Sequence, residues 1–306
     1  MAKKKTKAKR YAVQRHIEIR DNAISESNIN IIDVPQFLSK VNHRLYRQSR
    51  NYRCKVNITS PVTSGKVDVY ALRDTWFLQK AYQMAKDTFD KNTTEERSGM
   101  SPKSIARWQD FRIQLRPKVG VTYQELNPAI RDDTLTLQDL TIGEFELSLV
   151  HKEDGTGMSF GLFDVPNSQW GILQQYDKSA NTDDSPEDLT NLGESAYSGL
   201  DDDNQNASRS HLSSAGNAPP YDSNSLDGSR LFRKVATIGM DVKAPPNPSF
   251  DDKKTTGFFD APLGAILLVT ADNPGSIELE VQSGDYKGVH GETYIDVTKK
   301  FGHRRA

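Results

Sequence analysis

Arg53-Cys-Lys-Val-Asn-Ile-Thr59 and Lys66-Val-Asp-Val-Tyr-Ala-Leu72 decide how the chain is read. In the first, Cys54, Val56 and Ile58 alternate with Lys55 and Asn57; in the second, Val67, Val69 and Ala71 share one parity. A period of two puts every second side chain on the same face of a pleated strand, here an apolar face with a polar reverse. Working outward, the alternation recurs in Ser276-Ile-Glu-Leu-Glu-Val281, in Phe111, Ile113 and Leu115, and in Phe145, Leu147 and Leu149 within 143–150. Tyr11, Val13, Ile17 and Ile19 also alternate, although Arg15 falls on their apolar parity. Further strands are expected at 28–33, 134–140, 158–163, 231–242, 263–270 and 294–297, with a hairpin signal at Glu153-Asp-Gly-Thr-Gly157.

Helical spacing is rarer. Asp74 is placed to cap a helix over 75–90, whose stripe of Trp76, Phe77, Lys80, Ala81, Met84, Ala85 and Phe89, with Leu78 and Tyr82 beside it, reads as core. Pro35 opens a second helix, with Phe37, Leu38, Val41 and Leu45 on one side and Lys40, Arg44 and Arg47 on the other. Ser101-Pro102 starts a short turn carrying Ile105 and Trp108. About nine or ten short strands with no strand–helix–strand rhythm indicate an all-β fold with minor helices. A β-sandwich or jelly roll with inserted loops fits better than a parallel α/β sheet.

The 306 residues carry 40 bases and 41 acids, a formal charge of −1, but this neutrality is a cancellation. Residues 1–60 hold fourteen bases against four acids, and residues 177–230 hold eleven acids against three bases. The last eight residues, Lys299-Lys-Phe-Gly-His-Arg-Arg-Ala306, are basic again. Residues 1–20 are expected to be a disordered basic arm: six of the first ten residues are basic, and no large aliphatic follows Met1 there. Clustered lysines and arginines bind phosphate by counterion release without a folded site. The arm also suits a nuclear-import signal or a solubilising tail. Residues 177–230, with eleven Ser and only five from Leu, Ile, Val and Phe, read as an acidic surface excursion from a body spanning 21–298, with 299–306 as a basic tail.

Much chemistry is excluded. Hydrophobic residues make up 35% of the chain, below the usual level of about 45–50%. The longest aliphatic run, Ala265 to Val269, is too short for a membrane helix, and the basic start lacks the apolar stretch of a signal peptide. Cys54, the single cysteine, permits no internal disulfide and reads as a buried structural thiol. His16, His43, His151, His211, His290 and His303 show no metal-ligand spacing. Thr63-Ser-Gly-Lys66 lacks the glycine and hydroxyl of a phosphate loop and reads as a polar turn. Asp183-Asp184, Asp201-Asp202-Asp203 and Asp251-Asp252 are the candidates for calcium, at subunit contacts, and none has EF-hand spacing. No catalytic residue and no other cofactor is expected.

The stretch Gly284-Asp-Tyr-Lys-Gly-Val-His-Gly291, with Pro262-Leu-Gly-Ala-Ile-Leu-Leu-Val269 upstream, resembles the C-terminal region of capsid proteins from small circular single-stranded DNA viruses. The nearest group is the bacilladnavirus-like one, whose capsids are related to those of nodavirus-like RNA viruses. Val67-Asp-Val-Tyr-Ala-Leu72 leading into Trp76, and Ala106-Arg-Trp-Gln-Asp-Phe111, fit the same likeness, which covers about a third of the chain. The resemblance implies a jelly-roll shell domain, self-assembly into an icosahedral virion, and an inward basic arm on a packaged single-stranded DNA genome. It places the protein in the virion, and in the host cell interior or nucleus during assembly, with no membrane partner. Lys3, Lys4, Lys5, Lys7, Lys9 and Arg10 are the expected genome-binding residues, with Arg15, Arg44, Arg47, Arg50 and Arg53 as further candidates on the inner face. Two alternatives remain open on the residues alone. One is a non-capsid nucleic-acid-binding protein with a β-rich domain, and the other is an enzyme or lectin whose cleft would need two converging carboxylates.

Overall fold

The alternating stretches pair into facing, mainly antiparallel sheets in a computed structural model. It describes residues 12–20, 24, 29–60, 65–99, 101, 110–116, 122–140, 147–151, 157–166, 168–180, 231–240, 254–270 and 276–294. In chain order the first elements are β1 (His16–Ile19), β2 (Ile29–Asp33), α1 (Val34–Asn42), β3 (Arg50–Ser60), β4 (Gly65–Leu72) and α2 (Trp76–Ser98). Then come β5 (Tyr123–Glu125), β6 (Ala129–Arg131), β7 (Leu137–Asp139), β8 (Leu149–His151), β9 (Gly157–Gly161), β10 (Gln169–Gly171) and α3 (Ile172–Ala180). The chain closes through β11 (Phe232–Met240), β12 (Phe259–Pro262), β13 (Ala265–Thr270), β14 (Ser276–Val281) and β15 (Gly291–Thr293). The fold is mostly β with few helices, as the alternation predicts. Among the described residues no helix is long and apolar enough to cross a membrane.

One sheet is ordered β12-β3-β14-β1-β6-β7, with β15 also on β3; the second is ordered β11-β4-β13-β2-β5; a smaller one is β10-β9-β8. Four antiparallel pairings are nested: β1 with β14, β2 with β13, β3 with β12 and β4 with β11. Strands β1 to β4 alternate between the two large sheets, and β11 to β14 alternate back. Residues 73–231 are therefore an insertion between two neighbouring strands. The close approach of β4 to β11 at its base is kept by Arg73 N–H donating to the Leu231 carbonyl at 2.7 Å.

Two cores explain the composition of the strands. Between the large sheets lie Tyr52, Cys54, Val56, Ile17, Ile19, Ile277, Leu279 and Val281 from one side, facing Ile32, Val67, Val69, Ala71, Ile266 and Leu268 from the other. The reverse of the second sheet packs Ile31, Leu72, Ala265 and Leu267 against Leu78, Tyr82, Phe89, Phe111, Phe160 and Leu173. A strand covered on both faces loses its polar parity. Hence β13 is the longest aliphatic run in the chain, whereas β14, covered on one face, still alternates. Each fully buried Leu or Ile contributes about 1.5–3 kcal/mol by leaving water, so β13 anchors both cores.

Local chemistry sets α1. Asp33 Oδ1 accepts Gln36 N–H at 3.1 Å as the N-cap, Pro35 occupies the first turn, and His43 closes the helix with a left-handed φ of 49°. Gly264, at φ 70°, lies on that first turn; a Cβ there would stand 2.1 Å from Pro35 Cδ. Its carbonyl accepts Val34 N–H at 3.0 Å.

Several expectations are corrected. Helix α1 stops at Asn42, so Leu45, Arg44 and Arg47 are not on it. In α2 the buried stripe is Leu78, Ala81, Tyr82, Ala85 and Phe89, while Trp76 and Met84 are 65% and 43% exposed. Thr75, rather than Asp74, caps that helix, its hydroxyl accepting Leu78 N–H at 3.3 Å. Phe111, Ile113 and Leu115 are buried as alternation predicts, but their stretch makes only a bridge at Gln114 to Gly161. Backbone bonds at Arg112 and Gln114 tie it to Ser148, Phe160 and Leu162, and side chains supply the rest. Gln48 Nε2 donates to the Ile113 carbonyl (3.0 Å), Gln48 Oε1 accepts Ile113 N–H (2.8 Å), and Ser148 Oγ accepts Arg112 N–H (2.9 Å). The last described strand, β15, was not expected, and the strand expected at 294–297 lies, beyond Tyr294, outside the described residues. Helix α3 was not anticipated and takes the first residues of the 177–230 excursion; the remainder, the turn at Ser101-Pro102 beyond Ser101, and the C-terminal tail lie outside the described residues. An arm ending at residue 20 is also too long, since Ile17 and Ile19 are fully buried in the main core.

Candidate nucleic-acid interface

Beyond the C-terminus of α1 the chain runs through Arg44, Arg47 and Arg50 to reach β3. Arg44 and Arg47 are exposed and Arg50 is half-buried. The surface they share is completed by the turn Gly284-Asp-Tyr-Lys-Gly-Val-His-Gly291, which leaves β14 and returns as β15. Arg50 lies over the Tyr286 ring, 3.7 Å from its centroid, and donates to the Gly291 carbonyl at 2.8 Å. Tyr286 Oη accepts Arg47 N–H at 3.2 Å, Tyr52 donates to the Arg47 carbonyl at 2.7 Å, and Tyr46 donates to the Lys287 carbonyl at 3.0 Å. The Lys287 ammonium bonds the Leu45 carbonyl and stands 5.4 Å and 5.7 Å from the Tyr286 and Tyr46 centroids. Three tyrosines thus act as a scaffold that holds cations in place.

The glycines explain why the turn has this composition. A Cβ on Gly284 would stand 2.6 Å from His290 Cα, and one on Gly291 would stand 2.8 Å from Tyr286 Cδ1. Lys287 and Gly288 follow with φ of 51° and 93°, which turns the ammonium back over Tyr46.

Electrostatically the site is cationic and under strain. Burial pushes the Lys287 ammonium below its ordinary range, and Arg44, Arg47 and Arg50 push it further down, against a smaller opposing pull from Asp110. Asp110, itself raised by burial, lies 4.0 Å from Arg47 Nε and accepts Gln48 N–H. Asp285 is exposed on the same turn, and Glu292, exposed on β15, stands 3.5 Å from His290. Like charges crowded together are relieved by a polyanion, and each phosphate neutralised releases counterions.

Of the sequence-level candidates, Arg44, Arg47 and Arg50 come together; Arg15 and Arg53 do not join them on one face. Arg15 keeps the parity of buried Ile17 and Ile19, and its carbonyl accepts Val281 N–H at 2.9 Å. Arg53 lies between buried Tyr52 and Cys54 on the solvent side of the sheet, opposite Asp260. That outer face is charge-paired rather than basic, through Lys55 with Glu280, His16 with Glu278 and Arg131 with Glu18. Lys3, Lys4, Lys5, Lys7, Lys9 and Arg10 lie outside the described residues, as do all three acid clusters considered for calcium. Lys287 and Tyr286 were not singled out from the sequence, although the glycine spacing around them was the available signal.

Other chemistry is not assembled among the described residues. No group of three His, Cys, Asp or Glu is placed to hold a metal. Cys54 is fully buried and burial raises its thiol far above the ordinary range, which suits a packing role. The buried carboxylate Asp33 is raised by burial against the pull of Arg112, with which it forms an ion pair in the fold's interior. No protein-family model, curated protein or solved structure matches the chain.

Proposed function

We propose that the protein is a structural capsid subunit that self-assembles into an icosahedral shell and holds its genome, a single-stranded DNA, through the basic arm. On this reading the nested pairing of eight strands across two sheets is a jelly roll, built by rolling up one long antiparallel hairpin. Fold alone does not carry function, because jelly rolls also serve lectins and enzymes. The observation that carries the reading is positional. The N-terminal strand β1 enters the body beside Val281, at the start of the turn that presents Lys287 to Arg44, Arg47 and Arg50. Among the described residues, those that follow the arm in sequence therefore lie beside a crowded cationic surface. Many copies, each contributing a weak contact, would bind one long polyanion strongly.

The test is recombinant expression of the full chain, purification at high salt, and dialysis to low salt with and without a long single-stranded DNA. Closed particles in negative-stain electron microscopy support the reading. Discrete monomers or dimers that bind DNA without forming a shell would instead favour a non-capsid nucleic-acid-binding protein.

A further inference from the structure

The hairpin at one edge of the first sheet, β6 to β7, carries a residue that its own turn disfavours. Asp132 N–H donates to the Thr136 carbonyl at 2.9 Å, which closes a loop of Asp133, Thr134 and Leu135. In such a loop the last residue is left-handed, and glycine is the usual choice. Here it is Leu135, at φ 63° and 73% exposed. The conformation is firmly held. Asp132 Oδ1 accepts Thr134 N–H at 2.9 Å, the Thr134 hydroxyl at 2.7 Å and Thr136 N–H at 2.8 Å, and Oδ2 accepts Gln138 Nε2 at 3.2 Å. The Thr134 hydroxyl, with the other bonds, holds the Asp132 carboxyl below its ordinary value. Arg131 Nη1 donates to the Leu135 carbonyl at 3.2 Å. Leu135 packs in neither core, so a large apolar side chain is kept in water on a strained backbone with no gain to its own fold. It suits a rigid knob for another surface.

Charge selects the seat. Asp132 and Asp133 share the hairpin tip with Leu135, so two knobs meeting across a two-fold axis would bring carboxylates together. A seat on a second copy should instead be apolar, exposed and cationic. Among the described residues two exposed rings lie under a lysine: Phe258, 5.1 Å from the Lys55 ammonium, and Trp76, 5.8 Å from that of Lys80. Phe258 shares its lysine with Glu280, and Glu278 lies on the same face, acids that oppose the hairpin tip. Trp76, Lys80 and Met84 instead recur every fourth residue along one face of α2, with Tyr176 against the edge of Trp76. Arg73 and Asp74 offset each other before Trp76, and Asp87 lies a turn beyond Met84, so the favourable end is Trp76 to Lys80. We propose that Leu135 of one copy seats on this face of α2 in a second copy, with Asp133 against Lys80; this rests on reading the protein as self-assembling. Knob and seat lie on different surfaces, since the hairpin ends the first sheet while α2 backs the second. A contact between unlike patches leaves one of each unfilled on every new copy, so it propagates into rings or shells.

The experiment uses full-length protein free of nucleic acid and reads, by light scattering and sedimentation velocity, the concentration at which copies associate. Burying a large apolar side chain at each contact makes Leu135→Gly and Trp76→Ser each raise that onset about tenfold. Leu135→Gly should leave the urea midpoint of the monomer unchanged or raise it, because glycine takes the left-handed conformation without strain. Lys80→Glu and Asp133→Lys should each raise the onset about threefold. Combined in one chain they should restore it, since every contact then regains an opposite pair. An unchanged onset in Leu135→Gly overturns the proposal, and so does a lowered urea midpoint, which would assign Leu135 to the stability of its own chain. An effect of Leu135→Gly with none from Trp76→Ser means that the knob meets another knob or another surface, and overturns the seat. A compounded loss in the charge-swapped chain does the same. If the unaltered protein stays monomeric at every concentration and salt, the self-assembly reading falls and this contact with it; particles that form regardless of Leu135 and Trp76 remove the contact alone.

Discussion

Changing Arg44 and Arg47 together to Gln probes the patch with the least damage to the fold. Both side chains project from an irregular segment, and Arg47 is 58% exposed with only a distant Asp110 for company. Arg50 and Lys287 are poorer choices, since each also bonds a backbone carbonyl that shapes the site. For single strands each neutralised phosphate contributes about −0.7 to the slope of log K against log salt. If both arginines meet phosphates, the double variant should lose about 1.4 from that slope, so its affinity should fall about sevenfold less than that of the unaltered protein between 50 and 200 mM salt. Titrations of oligodeoxythymidine at four or five salt concentrations measure this directly. A slope that is unchanged within 0.3 or so would show that the two arginines do not touch the polymer, and the surface argued from crowding on Lys287 would have to be abandoned.

Gly284→Ala should destabilise the fold by about 1–3 kcal/mol in urea, because the added methyl has backbone on its far side and nothing that swings away. Arg112→Met takes the cation from the largely buried Asp33 and should cost about 3–5 kcal/mol, while adding Asp33→Asn should restore part of the loss; equal stabilities of the single and double variants would refute the pairing. The Asp68 carboxyl is raised by burial, but bonds from Lys234 and Thr237 outweigh this and hold it below its ordinary value. A depressed carboxyl stabilises the fold above its unfolded pKa of about 4 and loses that contribution as pH falls through the folded value. The stability gap between the unaltered protein and Asp68→Asn should therefore be present at pH 7 and shrink in urea melts as the pH falls below the ordinary carboxyl range. Cys54 should stay unmodified by a thiol reagent until denaturant unfolds the chain; modification at the rate of a free thiol would contradict its burial.

Strand alternation was legible wherever one face meets water. Cys54, Val56 and Ile58, or Ile277, Leu279 and Val281, announce both the strand and its buried side. It failed where tertiary partners replaced the usual ones. Phe111, Ile113 and Leu115 have strand periodicity, yet Gln48 and Ser148 side chains take the place of much of a ladder, which a local pattern does not encode. The misplaced α2 stripe has a similar cause. Trp76 and Met84 are apolar, but α3 meets α2 near Phe77 through Tyr176, and the second core meets it along Tyr82 and Phe89. At the candidate site, the arginines were legible as charges but not as neighbours. Extending α1 to residue 47 set Arg44 and Arg47 on a helix face, whereas the left-handed His43 turns them out toward a loop more than two hundred residues away in the chain. Strand order, and with it the nesting, depends on these long-range pairings.

The central claim is that the arm and the Lys287 surface together hold the genome inside a shell, and cross-linking within purified particles addresses it most directly. Particles assembled on single-stranded DNA would be cross-linked and digested, and the modified peptides mapped by mass spectrometry. The account predicts adducts on Lys3, Lys4, Lys5, Lys7 and Lys9 and within Gly284–Gly291 or Arg44–Arg50, and none on the exposed, Asp68-paired Lys234. Adducts spread over the paired outer face of the first sheet, with 284–291 unmodified, would contradict it.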